Sequence, residues 1–238
     1  ENRNIVEFDK HDIILFCGDI ANRIELVRLF FSCFIEQFPT ARNIYYVLGN
    51  HELSEFETIS DCYKAYSELE QQFSIRVLLN NYDVLSDNAG NPVAIVMGGV
   101  GFSKYSQTHN VNNLCYSKDL MGNREKEIAE SEKFVQFYGN CLTAARKATI
   151  PLIVASHCPI DDWLTANEIS SQCIYFYGHN HQNKYVRNNY KTIYADNQIG
   201  YTGTIEMKYC AFGLRYDPFA ELSDGYHQIS LEEYKAYY

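Results

Sequence analysis

The chain has no Cys-x-x-Cys pair, no block of basic residues and no apolar run approaching the roughly 18–20 residues of a membrane-spanning helix. It also lacks internal repeats, low-complexity tracts and any stretch that reads as a linker. Each absence closes a class of reading. The eight cysteines are irregularly spaced, so they read as free, mostly buried thiols of a reducing cytoplasm. Nonspecific binding to a nucleic-acid backbone needs clustered Lys and Arg. A formal charge of -10 with no basic cluster therefore argues against a broad nucleic-acid surface. Nothing in the sequence points to a membrane. No signal peptide is visible, but the chain opens Glu1-Asn2-Arg3 without an initiator Met, which points to a segment upstream.

What is present is a well-patterned globular chain. Its 238 residues are 46% hydrophobic, enough for one sizeable core, and residues 1–238 read as a single domain. Ile13-Ile14-Leu15-Phe16 is a continuous apolar run, as a strand buried on both faces should be. Asn22 is a candidate N-cap for a helix carrying Ile24, Val27, Phe30, Phe31, Phe34, Ile35 and Phe38 at helical spacing, ended by Pro39. A second strand covers Ile44 to Leu48, and a helix is expected from about Glu55 to Phe73. Short strands follow at Arg76–Leu79, Tyr82–Leu85 and Pro92–Met97, the last two joined by a turn at Asp87–Asn91. A polar, aromatic loop leads to a long charged helix from Asn123 to about Ala148, and then to strands at Leu152–Ala155 and Ile174–Tyr177. From Lys184 onward the chain reads as strands and hairpins. Strands alternating with helices, then mostly strands, predict two packed sheets with helices outside.

Four short stretches carry the chemistry: Gly18-Asp19, Gly49-Asn50-His51-Glu52, Ser156-His157 and Gly178-His179-Asn180-His181. Each follows a predicted strand, and in open α/β sheets ligands bind beyond the carboxyl ends of strands. Asp19, Asn50, His157 and His179 offer a carboxylate, an amide oxygen and two imidazoles. That mixed O/N set suits Mn, Fe or Zn better than a thiolate site does. The glycines permit tight turns that bring the following residue inward. Any one of these stretches alone is ordinary turn or loop sequence, but four in order at strand ends are not expected by accident.

In that order the stretches resemble the calcineurin-like metallophosphoesterases, over about Ile13 to His181. The resemblance implies an α-β-β-α sandwich of two packed mixed sheets flanked by helices. It also implies a cofactor of two divalent metal ions, manganese before iron or zinc. Asp19 would bridge the two metals, Asn50, His157 and His179 would complete one site, and His181 would ligate the other. The activity implied is hydrolysis of a phosphomonoester or phosphodiester by metal-activated hydroxide, with His51 assisting the leaving group. An imidazole suits proton transfer near neutral pH. The substrate would be a phosphorylated small molecule, nucleotide or protein.

The family pattern also has an Asp-x-His pair on an earlier strand, which ligates the first metal. Asp9-Lys10-His11 matches by letters. Too few residues separate it from Asp19 for the crossover of a dozen or more that two parallel strands need. The expected domain therefore lacks an N-terminal strand and helix, which would leave Ile13–Phe16 without a neighbour. The alternative reading is a catalytically degenerate protein that uses the same fold for binding or as a scaffold. Arg23 follows the Gly-Asp turn and could reach a phosphate. The loop Phe102–Asn113, with Tyr105 and His109, is a candidate substrate wall.

Overall fold

The computed structural model describes residues 12–104, 116–180, 185–195, 214–215 and 225–226. A first sheet contains β1 (Ile13–Cys17), β2 (Asn43–Val47) and β3 (Ile75–Leu78), all parallel and in the order β1-β2-β3. A second sheet has the order β4-β5-β6-β7-β9-β8. It is built from β4 (Asn81–Ser86), β5 (Pro92–Gly99), β6 (Leu152–Ser156), β7 (Cys173–Phe176), β8 (Tyr185–Arg187) and β9 (Thr192–Tyr194). β5, β6, β7 and β9 run parallel, and β4 and β8 close the two edges antiparallel. Two further two-residue strands, β10 (Leu214–Arg215) and β11 (Gly225–Tyr226), pair with each other.

The period-2 alternation of side chains divides the core into three layers. In β2, Ile44 and Tyr46 point outward, while Tyr45 and Val47 point between the sheets. In β5, Ala94 and Val96 meet that inter-sheet layer, and Ile95 and Met97 face away from it. β6 repeats the pattern with Ile153 and Ala155 inside and Leu152 and Val154 outside. The outer face of the first sheet is covered by helices α1 (Ile24–Gln37), α2 (Asn50–Leu53), α3 (Ile59–Ser67) and α4 (Leu69–Gln72). That of the second is covered by α5 (Arg124–Ala148) and α6 (Ile160–Trp163). The expected α-β-β-α sandwich is the observed one. No helix among the described residues is long and apolar enough to cross a membrane.

Several local expectations need correction. The helix expected over Glu55–Phe73 starts later and is broken into α3 and α4. The carbonyls of Phe56 and Glu57 accept the amides of Lys118 and Asp119, so they are spent on a distant segment. Thr58 then starts α3 by accepting the Asp61 amide at 3.1 Å, as an N-cap does. The N-cap of α1 is Arg23 and not Asn22, and it makes no side-chain cap. Its place is taken by Glu55, whose Oε2 accepts the Ile24 amide at 2.8 Å across 31 residues. β1 pairs with β2 along all five residues and is the edge strand of the first sheet among the described residues. The described cysteines are free thiols as expected, but Cys33 is exposed on α1. The strand expected over Ile205–Phe212 lies outside the described residues.

Candidate metal centre

Four strands end at the same place, two from each sheet. β1 and β2 deliver Asp19 and Asn50, and β6 and β7 deliver His157 and His179. Of the three glycines read as turn formers, only Gly18 has a positive φ, at 84°. A Cβ there would sit 2.6 Å from the Gly49 amide nitrogen and from His157 Nδ1. Gly49 is required for space instead: its Cβ would lie 2.1 Å from Asp19 Oδ1. Asp19 and His179 themselves occupy the left-handed region, at φ 58° and 73°. Non-glycine residues adopt it rarely and at a cost, most often where surrounding structure enforces it.

The side chains converge closely. Asn50 Oδ1 lies 2.8 Å from His157 Nε2 and 2.8 Å from His179 Nδ1. The two ring nitrogens are 2.9 Å apart, and His157 Nε2 is 3.4 Å from Asp19 Oδ2. His157 Nδ1 lies 2.8 Å from the Cys17 carbonyl, a pure acceptor, so Nδ1 carries the proton and donates. That leaves the Nε2 lone pair aimed into the cluster, the arrangement by which histidine ligands are usually oriented. His51 stands at the rim, 27% exposed, with Nε2 3.9 Å from Asp19 Oδ2. Its backbone amide donates to Asp19 Oδ1 at 3.0 Å.

Glu52 holds the floor of this arrangement. It is fully buried, and its carboxylate accepts four backbone N–H groups. Oε2 takes Asp19 at 2.9 Å and Gly49 at 2.7 Å, while Oε1 takes Ile20 at 2.6 Å and Ala21 at 3.2 Å. The turns after β1 and β2 are thereby tied to one side chain. Burial and the charge of Asp19 push the Glu52 carboxyl up, against the pull of His157 and the backbone N–H donors. All four contacts are donors, so the ionised form is the one that fits.

Electrostatics favour an anion beside imidazoles. Burial acts to raise the Asp19 carboxyl, but the His157 ring and the His51 amide outweigh it and bring the group down to about 2. Asp19 is therefore ionised throughout the physiological range. Burial acts to lower His157, and the Asp19 charge, assisted by the Cys17 carbonyl, outweighs it and raises the imidazole above its usual value.

The donor set fits a divalent cation. Asp19, His157 and His179 place ligand atoms within 4.8 Å of one another. Around an ion with bonds of about 2.1 Å, adjacent octahedral donors lie roughly 3 Å apart; the amide oxygen and two ring nitrogens are already at 2.8–2.9 Å. Asn50 is completely buried, and among the described residues its Nδ2 has no hydrogen-bond partner. Its Oδ1 points at the two imidazoles. These four residues can hold a metal of the hard or borderline type.

Asp19, Asn50, His157 and His179 come together, with His51 beside them. His181, Asp9, His11, Tyr105 and His109 lie outside the described residues. Arg23 is exposed at the start of α1. Phe102, at the start of the candidate wall, is buried against Tyr116. Sequence reasoning gave no role to Glu52 or to the Cys17 carbonyl. A glutamate at the third position of a helix can reach back to the amide of the residue before it, as Glu52 does to Gly49, but with glycine there the full capping-box signature is absent. No local signal foretells its reach to residues 19–21.

The family model for calcineurin-like phosphoesterases matches residues 2–183, more than half of the chain. No curated protein matches it.

Proposed function

The chain belongs to the calcineurin-like phosphoesterase family, and from that premise we propose that it hydrolyses a phosphomonoester or phosphodiester at the centre formed by Asp19, Asn50, His157 and His179. The observation that carries the reading is the convergence of these four donors from both sheets, with His51 alongside. Divalent ions held there, manganese first among them, would set positive charge against the phosphoryl oxygens and acidify a water toward hydroxide. The chain's own residues do the rest. Asp19, ionised and held at its Oδ1 by the His51 amide, supplies the short anionic ligand suited to sit between two cations. The Cys17 carbonyl holds the His157 ring by accepting from its Nδ1, and Asn50 Oδ1 faces a ring nitrogen of each imidazole at 2.8 Å, where the three atoms would share a cation. His51, at the rim and open to solvent, would donate a proton to the departing oxygen. His181 is assigned to the second metal by resemblance. An acidic chain with no basic block leaves phosphate recognition to the bound cations, which is compatible with a phosphorylated small molecule, nucleotide or protein as substrate.

The test is hydrolysis of an aryl phosphate with added Mn(II), compared with a His51→Ala variant. The reading expects wild-type turnover and a loss of about 10²–10⁴-fold in the variant, the usual range for general acid catalysis. Equal rates in the two proteins would remove His51 from the mechanism. Bound metal without any turnover, on monoester and diester probes alike, would favour the binding or scaffold alternative.

A further inference from the structure

Three successive amides, Asp19, Ile20 and Ala21, point their N–H groups to one spot after β1. The turn that carries them passes through Gly18 and Asp19, both at positive φ. Such a run of N–H groups is an anion-binding concavity, and elsewhere it would cradle a phosphate. Here it is filled from within by Glu52, which takes the Gly49 amide as well. The concavity is therefore closed to substrate. Asp19 is clamped on both sides: its own amide is held by Glu52, and its Oδ1 by the amide of His51, the residue before Glu52.

We infer that Glu52 is the positioning residue of the metal centre: it sets the strained backbone at Asp19 against the Gly49-Asn50-His51 turn before any metal arrives. This rests on the metal-centre reading given above. Glu52 touches neither substrate nor cation and acts through Asp19, Asn50 and His51. The carboxylate is needed for its two acceptor oxygens. In Glu52→Gln one of them becomes an NH2 facing two N–H donors, so one pair of amides loses its acceptor at unchanged side-chain size.

Three proteins are compared by titration calorimetry with Mn(II), with thermal unfolding of the metal-free forms alongside. Glu55→Gln is the control. Glu55 also binds a backbone amide across the same pair of segments, that of Ile24 at 2.8 Å, whereas the hydrogen bonds to Asp19 come from Glu52 and the His51 amide. The expected result is a loss of Mn(II) affinity of tenfold or more in Glu52→Gln, in the range found for residues that orient metal ligands. Glu55→Gln should unfold at a lower temperature while binding Mn(II) as the wild type does. A Glu52→Gln protein that binds Mn(II) like the wild type overturns the role of Glu52 alone. Wild-type protein that takes up no Mn(II) overturns the metal centre, and the role with it.

A second measurement needs no variant and decides the matter if Glu52→Gln fails to fold. Amide exchange is followed by NMR in metal-free wild-type protein. Protection of Asp19, Ile20, Ala21 and Gly49 comparable with the strand amides of β2 is expected. Exchange as fast as that of exposed Asn88, with protection gained only on adding Mn(II), would mean that the metal orders the turns, and would overturn the inference.

Discussion

Gly49 and Asp162 show how much a single atom's surroundings decide. At Gly49 the backbone is ordinary, with φ −102°, so the need for glycine is one of space. Gly49→Ala would drive its methyl into the Asp19 carboxylate, whose Oδ1 lies 2.1 Å from the added carbon. Mn(II) binding should fall below detection by calorimetry, and stability should drop by about 1–3 kcal/mol, as for overpacked sites in general. Asp162 is buried on α6, and among the described residues neither carboxylate oxygen has a hydrogen-bond partner. Burial, with Asp161 and Glu127 adding to it, pushes its carboxyl up to about 7. The folded state therefore binds this proton more tightly than the unfolded chain, whose Asp titrates near ~3.9. Between those values the native state holds more protons, so stability contributed here falls as pH rises from about 4 to about 7, and stays low above. Asp162→Asn removes the dependence. The variant should gain on the order of 1–3 kcal/mol over wild type at pH 8 and little at pH 4. Urea midpoints measured across that range check it, and a gain that is the same at both ends would refute the buried-acid account.

At the scale of elements, α5 is the longest helix described and ends on a residue poorly suited to its geometry. Its C-cap, Thr149, is left-handed at φ 56° and ψ 40°, exposed, with its N–H bonded back to Ala145 and Arg146. Glycine is the usual occupant of such a position, and a β-branched residue pays a steric cost there. Thr149→Gly should raise stability by about 0.5–1 kcal/mol, read as a shift in urea midpoint at unchanged slope. The same helix shows what was legible in the chain. It was expected from its length and charge, α1 from apolar residues at helical spacing, and β2, β5 and β6 from short runs rich in apolar residues, all to within about two residues of their observed limits. The residues after β2 were not legible. Their pattern is helical, but the carbonyls at Phe56 and Glu57 are claimed by Lys118 and Asp119, some sixty positions away in sequence. The cap of α1 was misread for a related reason. Asn22 is a good capping type, yet the amide of Ile24 is served by Glu55 from the segment after α2. Long-range hydrogen bonds override local propensity where a turn must be fixed, and here they cluster around the site.

At the scale of the whole molecule, the site is a clasp between two sheets. Asp19 and Asn50 ride on the first sheet, His157 and His179 on the second, and the Cys17 carbonyl meets His157 Nδ1 across the gap. Below them the sheets meet through an apolar layer that includes Tyr45, Val47, Leu78, Val96 and Ile153. The strand ends were legible in the sequence, which is why the four ligand candidates were too. That strands of different sheets would bring them to one point came from the family resemblance, since neither periodicity nor spacing fixes how two sheets face each other. The clasp has a thermodynamic consequence. A cation bound by both sheets exists only while they are docked, so it binds the native state and not the separated sheets. Mass action then stabilises the fold by about 2.7 kcal/mol at a hundredfold excess over the dissociation constant. For a chain of this size each kcal/mol moves the melting temperature by about 2–4 °C, so saturating Mn(II) should raise it by roughly 5–10 °C. The rise should grow with the logarithm of Mn(II) concentration and vanish in His157→Ala. His157→Ala also leaves a cavity at the sheet junction, so its metal-free melting temperature should already be lower. Differential scanning calorimetry of both proteins over a Mn(II) series separates the two effects, because only the metal-linked one depends on concentration. A melting temperature that rises equally in wild type and His157→Ala would place the cation elsewhere on this acidic surface.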